Sequence, residues 1–542
     1  MPLSAKSMDI APSASPPPAA EPPRLAFADV DSAGRWMKAL PLQGVSQAYE
    51  ALQGQLQAMA SATLPARERA TIAELARTQV AHLHTELARR YAGKPQPAVE
   101  RERAAADQAI ALWQGLWEQY SACLKPLLEG DPELQGVKSK LLQRGLYVGK
   151  QLVLVYGLAR RVPPPSLWQE LHAYYRLAEL LDCAVTAVSD ELMPNAIGIS
   201  CYSTYTHALL LALADLYSLS VRQIELTDRW LGQWSRKVFP YSRQRETEGP
   251  VMLVDLDSPG GLMMAPVAPR EPPASTRFGY PSKLVTSVRG RLKRLSTGTT
   301  PAELQLGTDL SIDAAVALLN HLDSHWSTVP RIHAHREPQW LELAAGGLPA
   351  AYFRVGGRTF DRQDPLGRLT FQGTQHIQTL GALTDYDRFK EEAERDWPFE
   401  RWQGECDWRT ATLTRADDGH YRWYLEQLVV IRDEDRMRLA YVARVAQGPG
   451  AKLMLTLRLY PGMPKSIAVR PISTAFSEEP PMPVLQVGES EAEPATLIVG
   501  PRVFNASRVL RTVDTGPERM LRLTHLVQRG ADFERVAFEE SH

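Results

Sequence analysis

The chain has 542 residues, with 61 Lys plus Arg against 62 Asp plus Glu and a formal net charge of -1. Hydrophobic residues make up 44% and charged residues 23%, ordinary globular values that exclude collagen, a coiled-coil rod and a mainly disordered chain. Near-neutrality argues against a protein that grips nucleic acid or anionic lipid with its whole surface, and at roughly 150 residues per domain the length implies three or four domains.

Proline is in excess, 41 against 35 glycines. Residues 1–23 hold seven of the prolines amid Ala and Ser. Such a segment buries too little apolar surface to offset chain entropy, so 1–27 reads as a disordered tail. The stretch 28–244 changes character. Ile72, Ala76, Val80, Leu83 and Leu87 fall on one helical face, as do Trp168, Leu171, Tyr175 and Ala178. Ser166-Leu-Trp-Gln169 and Ser220-Val-Arg-Gln223 carry the spacing of a capping box, which satisfies orphan amides at a helix start. This half reads as an all-α bundle or stack of helical hairpins of eight or so helices.

Residues 245–330 read as a small α/β connecting domain with a linker. Val251-Met-Leu-Val254 predicts a strand that ends in the turn Asp255-Leu-Asp-Ser-Pro-Gly-Gly261, and helices are predicted at 283–295 and 311–326. From 331 the period becomes two. Leu453, Leu455, Leu457 and Leu459 alternate with polar or half-exposed positions. Leu428–Ile431 and Met437–Val445 flank Asp433-Glu-Asp435 as a hairpin, and Ser507–Val513 with Arg519–Leu526 flank a second. Phe533–Phe538 closes the set. Short, closely spaced strands of this kind predict a small antiparallel barrel over 331–542, with an insertion at about 357–407. The fold class is therefore α+β multidomain.

Four cysteines, Cys123, Cys183, Cys201 and Cys406, are scattered without a C-x-x-C pair, which suits reduced thiols in a cytoplasm. No run of 18 apolar residues is present, and no apolar stretch follows Lys6 and Asp9 at the N-terminus, so neither a membrane span nor a signal peptide is expected. The nucleophile elbow, the phosphate loop and the zinc-protease motif are absent, which points away from an enzyme.

Several clusters invite two readings. Asp255 and Asp257 present paired carboxylates, or else form an Asx turn. His321, His325, His333 and His335 fall within 15 residues and make a metal cage conceivable, against a helix end and strand with incidental histidines. Arg289-Gly-Arg-Leu-Lys-Arg294 is a solvated helix face or a local phosphate patch.

Arg331 and Arg336 stand before the strand region. The segment from His321 through Trp326, Pro330, Arg331, Arg336 and Gly346-Gly-Leu348 resembles the opening of a bacterial PilZ domain. That family has an Arg-x3-Arg element before its barrel and an Asp/Asn-x-Ser-x-x-Gly turn, which together hold cyclic di-GMP. Pro164-Pro-Ser-Leu-Trp168 through Tyr175 resembles the helical region that accompanies a divergent PilZ-type barrel in long bacterial cytoplasmic proteins. The resemblance implies a ligand site of Arg331, His335, Arg336, Asp417 and Gly419. Four residues separate the two arginines here instead of three, and Thr414 and Ala416 stand where the family has Asp/Asn and Ser. Each lost hydrogen bond costs on the order of 1 kcal/mol, so the implied site is degenerate and weaker by roughly tenfold.

These readings converge on a non-enzymatic, cytoplasmic signalling or adaptor protein. Its helical half contacts proteins, and its PilZ-like barrel reorients when cyclic di-GMP binds. A ligand-independent scaffold or chaperone-like protein, and an RNA-associated protein using the 289–294 run, are the alternatives. No cofactor, metal or membrane partner is expected, and the protein partner stays unidentified.

Overall fold

The computed structural model describes residues 24–193, 198–245, 249–329, 337–362, 392–415, 419–434, 436–472, 479–488, 494–513 and 517–541. Among the described residues ten α-helices build the first half: α1 (Val30–Lys38), α2 (Val45–Ser61), α3 (Ala66–Tyr91), α4 (Glu100–Ser121), α5 (Leu124–Leu128), α6 (Pro132–Gln135), α7 (Lys138–Leu158), α8 (Pro165–Leu180), α9 (Cys201–Leu213) and α10 (Val221–Trp234). The stripe Ile72, Ala76, Val80, Leu83 and Leu87 of α3 is fully buried. Glycines on α7 let helices approach closely: a Cβ on Gly149 would sit 2.5 Å from Leu171 of α8. Ser220 caps α10 as expected, with Gln223 Oε1 accepting the Ser220 amide at 2.8 Å. The box at Ser166 is not used. α8 starts two residues earlier, with Pro164 as its cap, because Pro165 lacks an amide to satisfy and its fixed φ already suits a first helical turn.

A three-stranded antiparallel sheet follows, β1 (Val251–Asp255), β2 (Met263–Ala265) and β3 (Thr276–Gly279), in the order β2-β1-β3. α11 (Ser282–Ser296) and α12 (Ile312–Ser327) return to the helical core, where Trp326 Nε1 donates to the Leu210 carbonyl at 3.2 Å.

The remaining strands form two closed barrels where one was expected. The first contains β4 (Gln339–Ala344), β5 (Glu400–Cys406), β6 (Thr410–Arg415), β7 (Leu428–Asp433), β8 (Arg436–Gln447) and β9 (Leu453–Leu459). The second contains β10 (Lys465–Pro471), β11 (Met482–Val487), β12 (Thr496–Val499), β13 (Val509–Thr512), β14 (Met520–Arg529) and β15 (Glu534–Ser541). Twelve short strands cannot close round one interior that side chains fill, because a barrel's diameter grows with its strand number. β5 lies inside the span read as an insertion and pairs with both β4 and β6. α13 (Gly347–Gly356) packs Leu348 and Tyr352 into a core shared by both barrels with Leu428, Leu485 and Phe533.

Among the described residues, backbone bonds and ion pairs fasten the first barrel to the helical half. Gln96 and Trp423 exchange backbone hydrogen bonds at 2.8 and 2.6 Å, and Gln447 bonds the Arg160 carbonyl and the Val162 amide. Arg444 pairs with Asp215 at 2.9 Å. Among the described residues no helix is long and apolar enough to cross a membrane.

Candidate functional site

Helix α8 organises the region richest in recognition chemistry. Trp168, His172, Arg176 and Glu179 recur at helical spacing and so share one face, which docks the small sheet. A Cβ on Gly261 would sit 3.3 Å from the Trp168 indole, so the turn lies flat on that ring. His172 Nε2 lies 2.7 Å from the Gly260 carbonyl, and its Nδ1 lies 2.8 Å from the Tyr205 hydroxyl. A carbonyl only accepts, so Nε2 carries the proton and Nδ1 accepts from Tyr205. Burial holds this imidazole below its ordinary pKa, in the neutral form that arrangement needs. Arg176 reaches Asp257 at 2.6 Å. Asp255 Oδ1 accepts the Asp257 amide at 3.0 Å, the Asx-turn reading of this pair.

At the C-terminal end of that helix face opens a groove of about 720 Å³, a size typical of ligand sites. Its walls include Glu179 and Asp182 from the end of α8, Val185, the segment Phe239–Arg243 with Arg245, and Arg277 of β3. Tyr241 and Phe278 exchange backbone bonds at 2.9 and 2.8 Å, so this segment extends the sheet beyond β3. Tyr280 Oη takes the Arg245 amide at 2.6 Å and fixes the segment's far end. Phe239, Tyr241 and Tyr280 form a ladder with centroid spacings of 4.8 and 6.0 Å, and Tyr202 adds a ring 4.9 Å from Phe239.

The three arginines are held differently. Arg277 grips Glu179 through Nε at 2.9 Å and Nη2 at 2.7 Å, a fork that drives its guanidinium pKa further up. Arg245 lies over the Tyr241 ring, 3.6 Å from its centroid. Arg243 and Arg245 are exposed, and among the described residues no carboxylate pairs with either. The groove thus offers two exposed guanidiniums with no carboxylate partner among the described residues, aromatic rings and the carboxylate of Asp182.

Of the residues singled out by the sequence, those that are described do not line this groove. Arg331, His335, Arg336 and Asp417, with His333, lie outside the described residues. Gly419 closes over the buried ion pair of Arg415 and Glu400 in the first barrel, and a Cβ there would collide with both side chains. Glu400 also takes the Tyr421 amide at 2.6 Å, and Arg415 stacks 4.8 Å from the Trp402 ring. His321 bonds the Ala214 carbonyl at 2.8 Å, and among the described residues no group of three or more ligating side chains surrounds a metal-sized space. Half of the basic run has internal partners: Arg289 pairs with Asp323 at 3.0 Å and Arg291 stacks 4.9 Å from the Trp234 ring, while Lys293 and Arg294 are exposed.

The groove's arginines escaped the sequence reading, yet a signal existed. Asp255-Leu-Asp-Ser-Pro-Gly260 meets an Asp/Asn-x-Ser-x-x-Gly pattern at its first and last positions, with Asp257 in the serine place. Arg243 and Arg245 precede it with one residue between them. Thr414 to Gly419 in the strand-rich half meets that pattern only at its glycine.

The fold is that of an α+β multidomain protein with a helical half, a docked sheet and two closed barrels. Residues 31–240 match the N-terminal domain of the cyclic-di-GMP receptor FimW, and residues 467–541 match the FimW C-terminal β-barrel domain. These matches take in the helical half and the second barrel, together just over half of the chain, and the chain belongs to the FimW family. No curated protein and no solved structure matches it. The groove straddles the end of the first match, which stops one residue before Tyr241.

Proposed function

We propose that this chain is a non-catalytic, cytoplasmic signalling protein that binds cyclic di-GMP in the groove between α8 and the Phe239–Arg245 segment. The observation that carries the reading is the pair of exposed guanidiniums of Arg243 and Arg245, with no carboxylate partner among the described residues, beside an aromatic ladder. Cyclic di-GMP carries two phosphates and two guanines. Guanidinium forks match phosphate oxygens and the O6/N7 edge of guanine. Arg245, lying over Tyr241, presents the outer face of that stacked pair to the base. Asp182 supplies an acceptor for guanine N–H donors.

Ligand seated there touches the end of α8, the sheet and the chain leaving the helical half. A shift in population then requires that one arrangement of these parts bind more tightly than another. The protein contacts of the helical half are the output of that shift.

Calorimetry of the full chain with cyclic di-GMP tests the reading. Arg243→Ala with Arg245→Ala weakens binding by at least about tenfold, since two charge-assisted contacts are removed. The degenerate set Arg331, His335, Arg336, Asp417 and Gly419 is the competing location. Loss of binding in Arg331→Ala with Arg336→Ala, and retention in the groove variant, moves the site there. No heat with the unaltered chain leaves the ligand-independent scaffold.

A further inference from the structure

The helical half holds a second concavity that shares no lining residue with the groove. Its volume is about 720 Å³, and it opens between α7, α9, α10 and the loop 302–308. At its floor Lys150 Nζ donates to Asp228 Oδ1 at 3.0 Å, and His207 Nε2 lies 2.8 Å from the same oxygen. Lys150 and His207 are 3% exposed in their side chains, whereas Asp228 is 23% exposed and faces the opening. Burial works against its charge, but Lys150 and His207 outweigh that and keep Asp228 a carboxylate. Among the described residues nothing bonds its second oxygen, Oδ2.

Beside it, Gln151 Nε2 donates to the Tyr147 hydroxyl at 2.7 Å. The amide oxygen of Gln151 has no partner, although the residue is only 9% exposed. A buried, unpartnered acceptor is costly unless something fills its place. The Gln151 oxygen therefore asks for an N–H or O–H donor, and Asp228 Oδ2 stands open to another at the mouth of the cleft. At the rim the charge reverses. Arg229 is exposed and, among the described residues, forms no ion pair.

We propose that this cleft binds a small ligand with adjacent N–H donors at its inner end and an anionic group at its outer end, the chemistry of a guanine mononucleotide. The N1–H and N2–H of guanine lie side by side and match a carboxylate, while the phosphate meets Arg229 at the rim. Adenine offers a bare acceptor at N1 and leaves Asp228 facing a lone pair. The site is separate from the cyclic di-GMP groove and stands whether or not that reading holds.

Calorimetry on the full chain tests it, with GMP, AMP and guanosine as probes. GMP binds at least about tenfold more tightly than AMP. Arg229→Ala weakens GMP and leaves guanosine unchanged. Gln151→Leu weakens both. Asp228→Asn also strips Lys150 of its counter-charge, so its circular dichroism spectrum is recorded first, and the rim variant carries the test if that protein is unfolded. GMP binding persists in Arg243→Ala with Arg245→Ala. Equal binding of GMP and AMP, or no heat from GMP at about 1 mM, overturns the proposal. So does weakened cyclic di-GMP binding in Arg229→Ala, which would make the cleft the dinucleotide's own site.

Discussion

The helical half handles arginine in two opposite ways. Inside the bundle, Arg77 and Arg144 are 2% and 3% exposed in their side chains, and both are tied to the fully buried Asp190. Arg77 reaches Asp190 through two nitrogens at 2.8 and 3.2 Å, and Glu74 takes contacts from Arg77 and Arg144. Around the groove, Arg243 and Arg245 stand in water with no carboxylate beside them among the described residues. A buried charge is tolerated only when matched, so the interior network fixes how the helices meet and leaves nothing for a ligand. An exposed guanidinium gives up only water to bind an anion, so it contributes little to folding and much to recognition.

The largest effect should fall on the interior. Asp190→Ala leaves two buried guanidiniums short of their counter-charge and costs about 3–5 kcal/mol in denaturant unfolding of the helical half. Arg243→Ala with Arg245→Ala shifts that same transition by under about 0.5 kcal/mol, although it removes two charges. Equal losses in the two variants would erase the distinction. Next in size is the first barrel. Gly419→Ala presses a methyl group onto the Arg415–Glu400 pair and should cost about 1–3 kcal/mol, read as faster amide exchange in β5 and β6.

The smallest effect is graded and depends on pH. Burial holds His84 at about 4, below its ordinary 6.5, and holds His172, His207 and His321 down in the same sense. The unfolded chain takes up these protons first. The contribution is therefore complete above about pH 6.5 and is lost as pH falls toward about 4. Glu74 follows. Burial raises its pKa, but Arg77 and Arg144 outweigh that and hold it at about 2 against an ordinary 4.5, so its share is lost between those values. Amide exchange should show helices α3, α7 and α9 loosening from about pH 6.5 downward. Unchanged protection there at pH 4.5 would remove the histidines from the account.

Much of the architecture could be read from periodicity. The stripe from Ile72 to Leu87, the Ser220 cap and the alternation from Leu453 to Leu459 each reflect a local rule that tertiary packing reinforced. Division into two barrels could not be read the same way, because closure depends on which distant strands meet: β4 pairs with β7 across more than 80 residues. The groove was hidden for a related reason. Glu179, Tyr241 and Arg277 lie far apart in the chain and meet only because one polar face of α8 docks the sheet, a face overshadowed in the sequence by the apolar stripe of Trp168, Leu171, Tyr175 and Ala178. The turn from Asp255 to Gly260 is legible in the sequence as paired carboxylates or an Asx turn, but its partners on α8 are set only by tertiary packing.

The central claim is that Arg243 and Arg245, exposed at the edge of the docked sheet, read the ligand. It is tested most directly by titrating cyclic di-GMP into the full chain, the Arg243→Ala, Arg245→Ala variant and the Arg331→Ala, Arg336→Ala variant side by side. The account predicts binding to the unaltered chain, a loss of at least about tenfold in the first variant and none in the second. Undiminished binding in the first variant would contradict it.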